Sequence, residues 1–106
     1  MSVTSQQLPT AKRGGYTREV EDIFRAHGIA PSIKALRLVP YVHDCIINNN
    51  CIDPLKVDAV ERRILSDWRK KGRISGGASE VVRCSHDFWK FMSEVLWVAY
   101  ADYENR

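Results

Sequence analysis

Asp53-Pro54-Leu55-Lys56-Val57-Asp58-Ala59-Val60-Glu61-Arg62-Arg63-Ile64-Leu65-Ser66-Asp67-Trp68-Arg69-Lys70-Lys71-Gly72-Arg73 carries the clearest helical signals of the chain. An N-cap acid, Asp53, followed by Pro54 at the first helical position is a helix start signal, and Gly72 is a stop. At about 100° per residue, Val57, Val60, Ile64 and Trp68 fall in one narrow sector flanked by Leu65, so this face is expected to be buried. Arg62, Arg69 and Arg73 lie opposite, and Lys56, Arg63 and Lys70 repeat every seven residues along the side. Lys56, Arg62, Arg63, Arg69, Lys70, Lys71 and Arg73 against Asp53, Asp58, Glu61 and Asp67 leave +3, the net charge of the whole protein. A surplus concentrated on one helix points to a polyanion or an acidic protein surface as partner. The alternative is a solvated face on which Asp58 with Arg62 and Asp67 with Lys71 form i,i+4 pairs.

Outward from this helix the chain reads as mainly α. Thr17 caps a first helix with Glu19, Glu21 and Asp22 near its start, Val20, Ile23 and Phe24 as its stripe, and Gly28 as its end. Pro31-Ser32 opens a second, carrying Ile33, Leu36, Val39, Val42, Ile46 and Ile47 and stopped by Asn48-Asn49-Asn50. Pro40 inside it predicts a kinked helix or two short ones, because proline removes a hydrogen bond and crowds the preceding turn. After Gly72, two short strands flank Gly76-Gly77-Ala78-Ser79 as a hairpin between residues 73 and 84. Ser85 then caps a final helix from His86 to about Tyr103. The predicted architecture is a compact bundle of about four helices with a short hairpin before the last.

That last helix is apolar on most sides, which fits a central core helix or a homodimer contact. Its thin polar stripe of Lys90, Ser93, Glu94, Ala101 and Glu104 includes Trp97, a residue type common at interface hot spots. Residues 1–15, rich in Ser, Thr, Gln, Pro and Gly, read as a flexible basic arm, and 16–106 as a single globular domain. At 106 residues and 44% hydrophobic content, one modest core is the expectation. No apolar run approaches the roughly 20 residues of a spanning helix, and residues 1–15 lack a signal-peptide core, so a cytoplasmic protein is expected.

The reactive residues offer little convergence. Three cysteines, Cys45, Cys51 and Cys84, cannot all pair, and with His43 and His86 they make five candidate zinc ligands without a Cys-x-x-Cys knuckle. Small buried thiols and no metal are the expectation. Ser85-His86-Asp87 are adjacent on a helix start, where side chains diverge, so they do not make a triad. Cys45 or Cys51 with His43 is a weak nucleophile and base pairing, and Gly72 to Gly77 lacks the Gly-Lys-Ser/Thr of a phosphate loop. Neither an enzyme nor a cofactor is expected.

Ile64-Leu65-x-x-Trp68-x-x-x-Gly72-x-Ile74, with Val82-x-Cys84-Ser85 opening another helix, resembles the recognition-helix-to-wing passage of winged-helix domains over roughly residues 31 to 90. The resemblance implies a small DNA-binding regulator with Lys56, Arg62, Arg63, Arg69 and Lys70 on DNA and Arg73, Ser75 and Arg83 flanking the wing. Asp53 and Asp58 at the helix start repel phosphate, and the wing tip carries no basic residue. Those features suit the rival class, a protein-binding adaptor or inhibitor of the kind phages and mobile elements encode, acting through the basic face and Trp97. From the sequence, DNA stands first and an acidic protein surface second.

Overall fold

The computed structural model describes residues 16–101; the arm and the end of the last helix lie outside the described residues, as do the side chains of Tyr100 and Ala101. Four helices, α1 (Arg18–Ala26), α2 (Ile33–Ile47), α3 (Ala59–Lys70) and α4 (His86–Leu96), carry most of the described residues. Strands β1 (Ile74–Ser75) and β2 (Arg83–Cys84) pair antiparallel between α3 and α4, with Ile74 opposite Cys84 and Ser75 opposite Arg83. The protein is thus mainly α with one small hairpin.

Local chemistry sets the helix ends. The Thr17, Ser32 and Ser85 side chains accept the N–H groups of Val20, Ala35 and Phe88, so each satisfies an otherwise orphaned donor. Three helices close with the same left-handed device, at Gly28 (φ 70°), Asn49 (φ 55°) and Gly72 (φ 74°). In each, the next N–H reaches back: Ile29 to the Phe24 carbonyl, Asn50 to that of Cys45 and Arg73 to that of Trp68.

One buried cluster draws on all four helices and β1, with Cys84 of β2 packed against it. α4 supplies Phe88, Phe91, Met92 and Val95 to it, and Phe24 of α1 meets Phe91 edge-on at 4.9 Å. The wide apolar surface of α4 is therefore spent inside the domain against α1 and α2, as a central core helix. α4 ends at Leu96, and a π-helical turn, Trp97–Ala101, follows.

One open alternative is decided and one helix start moves. α2 is one helix with Pro40 inside it: the buried residues Leu36, Leu38 and Val39 before the proline and Val42 and Cys45 after it hold both halves to one core. Ile33 and Ile47, the first and last residues of α2, are exposed. α3 starts at Asp58 and not at Asp53. Asp53 caps a separate 3-10 turn, Pro54–Lys56, while Asp58 and Glu61 form a reciprocal capping box, each side chain accepting the other's backbone N–H at 2.8 and 2.9 Å.

The later start changes the wheel. Val57 is buried but precedes α3, Leu65 and Trp68 are buried within it, and Val60 is 46% exposed. Lys56 leaves the helical row with Arg63 and Lys70; it stands on the 3-10 turn with its ammonium 5.9 Å from the Tyr41 ring centroid.

Candidate functional site

α3 places the expected basic residues in two different situations. Arg62, Arg69 and Arg73, assigned from sequence to an outward recognition face, each donate to backbone carbonyls. Arg62 gives a guanidinium N–H to Val57 at 2.9 Å and a long one to Pro54 at 3.5 Å, fastening the 3-10 turn to α3. Its expected pair, Asp58, takes the Lys34 ammonium of α2 instead. Lys34 first, and then the Glu61 N–H, hold the Asp58 carboxyl below the ordinary carboxylate range. Arg73 donates to Gly28 at 2.8 Å, tying the closing turn of α1 to the start of the hairpin, and Arg69 reaches Gly76 at 3.4 Å.

The hairpin also folds inward. Ile52 N–H donates to Gly77 at 2.9 Å and Val82 N–H to Asn50 at 3.1 Å, so residues 50–52 lie along the loop that joins β1 to β2. With Arg69 on the carbonyl of Gly76, this loop is fastened to the body of the domain from two sides. A projecting wing has no such attachments.

Arg63 and Lys70 form the second group. Both are exposed, and among the described residues neither meets a carboxylate; Asp67, between them, pairs with Lys71 at 3.4 Å. They border a groove of about 470 Å³ between α3 and the connection from α1 to α2, with Val60 and Ile64 as apolar lining and Ala30 and Ser32 as the opposite wall. Spacing of i, i+3, i+4 and i+7 puts Val60, Arg63, Ile64 and Asp67 on one side of α3. The capping box Asp58-x-x-Glu61 is the sequence signal that places Val60 in the first turn, clear of the core. No pattern in the sequence places Ala30 and Ser32 across from it, because that contact depends on how α2 crosses α3.

Trp97 is 56% exposed and is not among the residues lining the groove. The candidate metal ligands are dispersed in role. The His43 ring stacks on Trp89 with centroids 4.5 Å apart, and burial lowers its pKa below the ordinary histidine value against a smaller upward pull from Asp44. The Cys45 thiol points to the Cys51 carbonyl at 3.6 Å, and burial raises its pKa as it does that of Cys84. Cys51 is exposed, contrary to the expectation of three buried thiols. Among the described residues no three His, Cys, Asp or Glu side chains stand together as a metal set. The Ser85 hydroxyl is engaged as a cap, and His86 and Asp87 are exposed on the first turn of α4.

No helix among the described residues is long and apolar enough to cross a membrane. The chain matches no protein-family model, no curated protein and no solved structure.

Proposed function

We propose that this domain is a non-catalytic binding module, an adaptor or inhibitor, whose partner is a protein with an acidic surface. The observation that carries this reading is the division of labour on α3. Arg62, Arg69 and Arg73 are engaged with carbonyls of the domain itself, while Arg63 and Lys70 stand beside the exposed Val60. Apolar surface beside cations suits a protein, since interface cores are apolar and their rims charged. A DNA reader draws its affinity from many phosphate contacts and gains little from an exposed valine.

The sequence alone ranks DNA first; the arginines bonded to the domain's own carbonyls favour the protein reading. The surplus of cations on α3 keeps DNA as the rival. Panning a random 16-residue peptide display library against the folded domain tests the reading. Enrichment of binders rich in Asp or Glu, whose binding falls on Arg63→Glu with Lys70→Glu, is the expected result. Failure to enrich any acidic binder over several rounds contradicts it.

A further inference from the structure

Resting on that reading, we infer that the groove along α3 receives an acidic amphipathic helix of the partner, about three turns long. The α3 side of the groove has no free backbone groups to pair with an added strand, because interior helical N–H and C=O groups are already bonded to each other. An extended peptide would gain no ladder here, whereas a helix needs only an apolar stripe and a matching depression.

Length and charge then narrow the occupant. Val60 and Lys70, at the ends of the α3 lining, are ten residues apart, about 15 Å along the axis, which is the rise of roughly ten residues in a partner helix. The lining offers Val60 and Ile64 one turn apart, against the opposite wall at Ala30 and Ser32. Apolar residues at i, i+4 and i+7 of a partner place one side chain per turn along this line.

Arg63 and Lys70 stand two turns apart on the same helix, and with Lys71 neutralising Asp67 the α3 edge is net positive. Glutamates or aspartates flanking the partner's apolar stripe would meet them. The acidic start of α3, Asp58 and Glu61, is already satisfied by Lys34 and by the capping box. The cations left to meet the partner's acidic flank on α3 are therefore Arg63 and Lys70.

The test uses a pool of 14-residue capped peptides with Leu, Ile or Phe varied at i, i+4 and i+7 and Glu at the flanking positions. A second pool has the same composition in permuted order, and a third has Lys in place of Glu. Titrated into the isotope-labelled protein, the first pool should shift the amide resonances of Val60, Arg63, Ile64 and Lys70, saturably. The permuted and Lys pools should not. Val60→Glu should weaken the best member at least about tenfold, the effect of one interface contact of about 1.4 kcal/mol.

That variant should fold normally. Val60 is exposed and sits in the first turn of α3, where the helix dipole favours an acid; a thermal melt checks this. Shifts clustered elsewhere, such as around Trp97, or equal binding by the permuted pool, or no saturable shift, overturn the assignment. Display binders that ignore Val60→Glu would sink the groove but spare the protein-binding reading, whereas absence of any acidic display binder sinks the reading itself.

Discussion

Alanine at Gly76 and alanine at Gly72 should have very different consequences, although both glycines are left-handed, with φ of 83° and 74°. A side chain in that region costs about 1 to 2 kcal/mol, partly offset by about 0.4 to 1 kcal/mol from a less flexible unfolded chain. At Gly72 nothing lies within 4 Å of the added methyl, so a net loss of about 1 kcal/mol is expected. At Gly76 the methyl would sit 2.2 Å from the Val81 carbonyl oxygen and 2.9 Å from its carbon, both backbone atoms that cannot swing aside.

Relief requires moving the loop, which strains the Gly77 N–H bond to Glu80 at 3.0 Å and the Ile52 N–H bond to Gly77 at 2.9 Å. At about 1 kcal/mol for each bond, Gly76→Ala should cost about 3 kcal/mol in total. Urea denaturation followed by tryptophan fluorescence measures both variants, with an unchanged slope showing that only stability moved. The extra ~2 kcal/mol corresponds to about 8 to 16 °C in Tm for a domain of this size. Equal losses at the two glycines would refute the inward-folded hairpin, because a loop projecting as a free wing can relax around a methyl.

Trp68→Ala should cost about 3 to 5 kcal/mol, since Trp68 is 2% exposed and meets Phe88 edge-on at 4.9 Å; a melt shifted by only a few degrees would mean that α3 faces the other way. Arg62→Ala should cost about 1 kcal/mol through loss of its bond to Val57, whereas Arg63→Ala should stay within about 0.5 kcal/mol; equal values by urea denaturation would contradict the division between the two arginines. Because burial against Trp89 lowers the His43 pKa, the unfolded chain takes up its proton first as pH falls. The His43 contribution to stability should be complete above about pH 6.5 and be lost as pH falls below it through the folded value, a slope that His43→Phe should flatten in pH-dependent melts.

Local signals were readable and long-range ones were not. Thr17, Ser85, Gly28, the Asn48 to Asn50 run and Gly72 mark helix ends through groups within a few residues of one another, so the sequence shows them directly. The hairpin and the burial of Leu65 and Trp68 follow from turn residues and periodicity in the same way. The start of α3 was ambiguous because two cap signals, Asp53-Pro54 and Asp58-x-x-Glu61, lie five residues apart, and the first is used by a 3-10 turn. Pro40 leaves one kinked helix or two short ones open, because its penalty is local while the burial that holds both halves together comes from other elements.

The site was less legible for the same reason. Charge on α3 is visible in the sequence, but the partner of each arginine is not. Arg73 bonds to a carbonyl 45 residues away, and the opposite wall of the groove comes from the α1–α2 connection. Helical periodicity sorts residues into faces; it does not say which residues of a face meet solvent, as Val60 does in the first turn of α3.

If the cations of α3 serve a protein partner and the fold itself, fluorescence anisotropy of a labelled random-sequence duplex, titrated with the protein at about 50 and 200 mM salt, shows it most directly, because phosphate binding changes by orders of magnitude between them. No saturable binding is expected at micromolar protein even at the lower salt. Tight binding at about 50 mM that collapses at about 200 mM, and that Arg63→Glu with Lys70→Glu abolishes in a folded protein, would contradict it and return α3 to nucleic acid.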